Sequence, residues 1–270
     1  MKSTALFIFS ALLLASCNGK QDRRDQEQRN WVEKVTSKDS GPIKEREFKG
    51  DFDEIEVSQA IDAEVIKSET ERVVISAPEN IINEVLVDNN AGKLHIHYKP
   101  GIRVMNRNRV SAKIYTRDFH KLIANSAAKI VVKDKFTQEK TDIEVSSAGT
   151  VSGDLEANDF DISADSSSNF RGKVWAVELD VDVSSAASVD ISGKAKSADL
   201  SSSSGSSISA RDVVAENVKA EASSGASVEI SATSKVDAEA SSGGSVNVYK
   251  RGNVTTVNKS ESSGGSVNIQ

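Results

Sequence analysis

The pattern Ser-Ser-Gly/Ala-x-Ser-Val returns throughout the C-terminal half of this chain. Clear copies occupy residues 146–151, 184–189, 203–208, 223–228, 241–246 and 262–267, and weaker copies end at Ile130 and Phe170. The closing apolar residue stands at Ile130, Val151, Phe170, Val189, Ile208, Val228, Val246 and Val267, in steps of 21, 19, 19, 19, 20, 18 and 21. So steady a period marks a repeat architecture. Between the motifs, apolar residues alternate: Phe160, Ile162 and Ala164 precede one copy, Leu179, Val181 and Val183 the next, and Val228 with Ile230 follows a third. Alternation is the period of a strand. Each repeat therefore predicts two short strands flanking a tight turn. Its small residues would accommodate positive φ or a close backbone approach.

A period of this length built from strands leaves out helical repeats and propeller blades, which are longer. It predicts an all-β fold, a parallel β-helix (β-solenoid) of short ~19-residue coils, expected to be right-handed. Coils ~4.8 Å apart bring equivalent residues into ladders, and eight of them span roughly 38 Å. The inward ladder of Val, Ile, Leu and Ala is then the whole core, shared only between neighbouring coils. An antiparallel β-sandwich is the other architecture open to so many short strands. It predicts irregular loop lengths and does not explain stacked serines.

The chain has 270 residues, 37% of them hydrophobic, and a net charge of −6. That acidity argues against nucleic acid as a partner. The charge is uneven: residues 142–270 hold 19 Asp and Glu against 10 Lys and Arg, with 31 serines and no proline. Aromatic residues, at 5%, leave little for a sugar-stacking platform. A single cysteine rules out a disulfide framework and a CxxC metal site. That residue, Cys17, follows Leu14-Ala15-Ser16 at the end of an apolar stretch, Ala5 to Ala15, too short to span a bilayer. The arrangement resembles a bacterial lipoprotein signal, in which the cysteine thiol takes the lipid. Residues 1–16 then read as a lipoprotein signal peptide and Cys17 as the lipidation site. Residues 17–44, dense in Arg, Gln, Glu, Asp and Lys, read as a polar tether to the membrane. Residues 45–270 read as the solenoid domain.

Ahead of the clear repeats, Phe52, Ile55 and Val57, then Leu94, Ile96 and Tyr98, continue the strand alternation. Ser76-Ala77-Pro78-Glu79 has the spacing of a capping box, with Ile82, Val85 and Leu86 behind it, and predicts one short helical turn. His95 and His97 share the polar face of the strand at 94–98. A metal pair needs such a placement, but no third ligand is adjacent, and no metal is expected.

Arg46-Glu47-Phe48, followed by Phe52-Asp53-Glu54-Ile55-Glu56-Val57, resembles the opening of the auto-transporter adhesin head family (the GIN domain). The strand Lys93-Leu94-His95-Ile96 and the serial Ser-Ser-Gly turns are similar too. The resemblance covers about residues 44–270. It implies a β-helix fold and a secreted or lipid-anchored protein of Gram-negative bacteria, here expected in the cell envelope at the outer membrane.

Large β-helices include polysaccharide lyases and hydrolases, which set carboxylates, Lys or Arg in a cleft walled by long loops. Repeats of 18 to 21 residues leave no room for such loops. No G-x-S-x-G, H-E-x-x-H or P-loop motif is present, and no cofactor is expected. The chain therefore reads as a lipid-anchored extracytoplasmic β-solenoid that acts as a surface-binding or structural adhesin-like module. Its expected partner is a surface glycan or another envelope protein; a carbohydrate-active β-helix enzyme is the alternative. Two surface features are candidate sites. Arg103, Arg107, Arg109, Lys113 and Arg117 form a basic patch suited to an anionic polysaccharide, lipid phosphates or an acidic protein. Asp142, Asp161, Asp180 and Asp199 recur at one coil position, with Glu144 and Asp182 two places on, as an acidic column facing cations or a basic partner.

Overall fold

The computed structural model describes residues 41–102 and 110–270. They form one eighteen-stranded sheet, with no α-helix among the described residues. Nine short strands come first: β1 (Ile43–Lys49), β2 (Glu54–Val57), β3 (Asp62–Lys67), β4 (Arg72–Pro78), β5 (Val85–Asn90), β6 (Lys93–Tyr98), β7 (Ser111–Thr116), β8 (Lys121–Ala124) and β9 (Lys129–Val132). Longer strands follow: β10 (Phe136–Val145), β11 (Thr150–Ala164), β12 (Asn169–Val183), β13 (Ser188–Ser202), β14 (Ser207–Ala222) and β15 (Ser227–Ala240). The last three are β16 (Ser245–Lys250), β17 (Thr256–Glu261) and β18 (Ser266–Ile269). From β10 to β15 each strand pairs in parallel with the next, one coil on. The closing residues stack as the period predicts: Ile130, Val151, Phe170, Val189, Ile208, Val228, Val246 and Val267 are successive rungs, all buried. The protein is a β-solenoid.

Within a coil the structure departs from the expected two strands and a turn. From Thr150 to Ala240 each coil is one long strand that bends. One bend falls at stacked glycines. A Cβ on Gly172 would lie 2.0 Å from the Gly153 carbonyl oxygen, so the coils approach there as only glycine allows. The other bend falls at Asn158, Val177, Lys196 and Glu216, which the ladder skips. Inward parity switches at that point: Val174 and Ala176 are buried on one side of it, Leu179, Val181 and Val183 on the other.

Strands are separated by four-residue turns. In the first clear copy the Gly149 N–H donates to the Ser146 carbonyl at 2.8 Å, and Ser147 and Ala148 both have positive φ, as a type I′ turn requires. The same pair recurs as Ser166/Ser167 and Ser185/Ala186, then as Ser204/Gly205, Ser224/Gly225, Ser242/Gly243 and Ser263/Gly264. The turns also bond to one another. The Ala148 N–H reaches the Ser166 carbonyl at 3.0 Å, and the Ser167 N–H reaches that of Ser185 at 3.0 Å. Buried serines repair the core end of the turn: Ser168 Oγ donates to the Val145 carbonyl at 2.7 Å and Ser206 Oγ to that of Val183 at 2.8 Å. Such pairing is what lets polar atoms sit inside.

The ladder also runs one coil further towards the N-terminus than the serine pattern shows. β2 and β3 lie parallel to β8 and β9, so Ala63 is the rung below Ile130. Gln59 and Ala60 supply the positive-φ pair without any Ser-Ser-Gly signature. Residues 68–120 are inserted between this coil and the next. β6 and β7 extend the stack beneath β2 and β3. β4 lies antiparallel to β7 and to β1, and β5 antiparallel to β6, closing that end. The expected helical turn is a single 3₁₀ turn at Ile82–Glu84, with Ile81 rather than Ser76 at the N-cap position and no side-chain cap bond. Ser76 is drawn into β4, where it pairs with Glu45 of β1 and its Oγ donates to that carboxylate.

Candidate functional site

The parallel register carries outward side chains into ladders as strictly as inward ones. Lys121, Asp142, Asp161, Asp180, Asp199, Lys219 and Asp237 are successive rungs. Glu144, Ser163, Asp182, Ser201 and Glu221 form the row two residues on. The structure thus gathers all six acidic side chains of the sequence-derived column along one open groove of about 580 Å³. Its ends are neutralised. Lys121 Nζ lies 2.9 Å from Asp142 and also binds Glu144, and Lys219 Nζ lies 3.1 Å from Asp199 and 3.0 Å from Glu221. Lys140 crosses to Asp161 at 2.9 Å and Asp159 at 3.3 Å. These carboxylates push the ammonium groups of Lys121, Lys219 and Lys140 above the ordinary lysine range. Asp180 has no such cation among the described residues. Partial burial, then the charges of Asp161 and Asp199, raise its carboxyl above the usual aspartate range.

Of the basic patch, Arg103, Arg107 and Arg109 lie outside the described residues, as does Cys17. Lys113 is exposed on β7, and Arg117 pairs with Glu71 at 3.5 Å. His95 and His97 do share a face, with ring centroids 4.1 Å apart. His95 Nε2 bonds Ser58 Oγ at 3.1 Å, and His97 Nε2 bonds Asp88 at 2.9 Å. Both rings have partners within the sheet, and no group of three or more metal-binding side chains occurs among the described residues.

A second groove escapes the sequence reading. It has a volume of about 690 Å³ and centres on Trp175, which is 45% exposed on β12. Its rung neighbours are Glu156 and Lys194. The parallel row runs Asp154, Lys173, Ser192 and Asp212. Gly193 lines the floor with φ +130°, and a Cβ there would lie 1.9 Å from the Val174 carbonyl oxygen. Composition hid this site, because a low aromatic content says nothing about where one indole is placed. In the sequence Trp175 stands out only as a large aromatic on an outward strand position of the repeats, a feature it shares with Tyr249.

Comparison with known proteins agrees with this architecture. No curated protein matches the chain. A crystal structure of a "putative adhesin" from Parabacteroides merdae superposes with a TM-score of 0.78 at 19% identity, over 86% of this chain and 97% of that one. A "putative lipid binding protein" from Parabacteroides distasonis gives 0.77 at 19% identity, over 86% and 98%. A "putative adhesin" from the same species gives 0.74 at 20% identity, over 83% and 98%. At such identities the likeness is one of fold. The sequence profile described as "Putative auto-transporter adhesin, head GIN domain" matches residues 51–252, three quarters of the chain, and the protein belongs to that family.

Proposed function

We propose that the protein is a lipid-anchored, extracytoplasmic adhesin-like module of the Gram-negative cell envelope, working by surface binding rather than catalysis. One observation carries the reading. From Asp142 through Asp161, Asp180, Asp199 and Lys219 to Asp237 the same outward position is a rung of the parallel ladder coil after coil, although the register shifts elsewhere in the last two pairings. The result is a set of rigid, ruled surfaces, suited to a repetitive partner such as a surface polysaccharide or another envelope protein. Family membership and the adhesin names of the structural neighbours support the same reading. The Leu14-Ala15-Ser16-Cys17 sequence supports a lipid anchor at the outer membrane. Arg103, Arg107, Arg109, Lys113 and Arg117 offer a contact for an anionic polymer.

The test is made in cells. Cys17→Ser should move the protein from the membrane fraction to the soluble fraction, and whole-cell adherence should fall with it. Equal partitioning of mutant and wild type would overturn the anchor. Unchanged adherence in a strain lacking the protein would overturn the adhesive role. Time-dependent release of reducing ends or unsaturated sugars from a polysaccharide would instead favour the enzyme.

A further inference from the structure

The groove at Trp175 carries the inference. Exposed large hydrophobic side chains are rare here: among the described residues they are Ile43, Trp175 and Val257, and Trp175 lines the groove of about 690 Å³. Its indole has no aromatic neighbour and no cation over its ring among the described residues. Such a side chain is a binding anchor in waiting, with a broad apolar face held rigidly by its strand.

The surroundings decide what it would bind. Lys135, Lys173 and Lys194 face Asp154, Glu156 and Asp212, so the groove is formally neutral, unlike the acidic groove already described. Lys135 pairs with Glu156, but the side chains of Lys194, Asp154 and Asp212 make no hydrogen bond or ion pair among the described residues. An apolar protein anchor would desolvate those charges without compensation. A polyanion would meet the carboxylates, and a polycation the lysines. A neutral sugar meets neither penalty. Its C–H face covers the indole, and its hydroxyls donate to carboxylates and accept from ammonium groups. Rungs ~4.8 Å apart set Glu156 on one side of Trp175 and Lys194 on the other, about the width of a pyranose ring. The volume falls within the ~300–1,000 Å³ usual for small-ligand sites.

We infer that the groove centred on Trp175 is a binding site for a neutral glycan, with the indole as stacking platform and Asp154, Lys194 and Asp212 as hydroxyl partners. This rests on the surface-binding reading and names its ligand class.

The probe is an array of neutral and charged oligosaccharides, followed by calorimetry of the full chain with the neutral hits. Trp31→Phe makes Trp175 the sole indole and adds a fluorescence readout. At least one neutral oligosaccharide should bind and shift the Trp175 emission. Trp175→Ala should weaken that binding by about tenfold or more, and Trp175→Phe should restore most of it. Both variants should melt with the wild type, since the side chain is exposed. Binding of charged glycans alone, no neutral ligand at millimolar concentration, or an undiminished affinity in Trp175→Ala would each overturn the site. Binding of apolar peptides at Trp175 in place of sugars would assign the groove to a protein partner and also overturn it. Adherence that Cys17→Ser abolishes and Trp175→Ala leaves intact would sink the glycan site alone and leave the adhesin reading standing.

Discussion

The second central residue of every coil turn has positive φ, whether it is alanine, serine or glycine. An L-residue in that region costs ~1–2 kcal/mol relative to its preferred conformations. A Cβ at Gly225 would meet nothing within 4 Å, so Gly225→Ala should cost about 1 kcal/mol through backbone conformation alone, read as a melting point lower by ~2–4 °C. Neighbouring residues on β12 test the alternation. Val183 is buried between Ala164 and Ser202, and Val183→Asp leaves a carboxylate without a partner, so a loss of several kcal/mol is expected. Asp182→Val, facing outward, should be close to neutral; equal losses in the two variants would refute the assigned faces. Asp180 offers a test by pH. Its raised carboxyl means that the folded protein holds the proton more firmly than the unfolded chain does. Stability is therefore lost as pH rises from the ordinary aspartate value, ~3.9, through the folded one. Asp180→Asn should raise the melting point slightly at neutral pH. The gain should vanish in acid below the ordinary value, and a gain independent of pH would show that charge is not its cause.

At the scale of elements, what the sequence discloses depends on whether a requirement is local. The Ser-Ser-Gly turn needs two positive φ values in adjacent residues, and small side chains meet that need visibly, so coil period, ladder register and the acidic column could all be read in advance. Gln59 and Ala60 adopt the same conformation without small-residue punctuation, because β2 and β3 are held by β8 and β9. The alternation at Phe52, Ile55 and Val57 shows a strand of that coil, but its turn carries no Ser-Ser-Gly signature for this reason. The bend at Val177 was equally hidden, since it comes from an inward parity change that any residue type permits. The groove at Trp175 arises from side chains as far as three coils apart, Asp154 to Asp212, which no local pattern joins. On β6, the shared face of His95 and His97 was legible, but their partners were not. Burial pushes the His95 imidazole below the ordinary histidine range, and His97 and Lys93 add to this against the pull of Glu56 and Asp88. The folded protein thus holds that proton less firmly than the unfolded chain. Stability is full above ~6.5 and is lost as pH falls through the folded value. The melting point should drop as pH falls below ~6.5, and His95→Gln should flatten the drop; an equal slope in the variant would locate the acid sensitivity elsewhere.

Taken whole, the solenoid faces the hazard of every stack of parallel strands: an edge of unpaired backbone that invites another chain. Its two ends meet that hazard differently. At the N-terminal end, β4 turns antiparallel to β1 and β7, and β5 antiparallel to β6, which ends the parallel register. At the other end, β17 continues the ladder with altered chemistry. Val257, Lys259 and Glu261 take the rungs of Val236, Ala238 and Ala240, so two charges stand where the preceding coil has buried alanines. Lys259 Nζ lies 3.0 Å from Glu261, whose carboxylate also accepts the Val267 N–H at 2.6 Å. That backbone bond, then Lys259, holds the Glu261 carboxyl below its ordinary range. A strand stacking on β17 would have to strip water from both charges, which opposes association. Removing them while keeping the acceptor for Val267 isolates this role, so the informative variant is Lys259→Val with Glu261→Gln. It should form larger species than the wild type in light scattering, at a temperature where its circular dichroism still shows a folded protein. The wild type's size should not change with added salt, because the barrier is desolvation rather than long-range repulsion. If the double variant keeps the hydrodynamic size of the wild type while remaining folded, the charges do not guard the end of the stack.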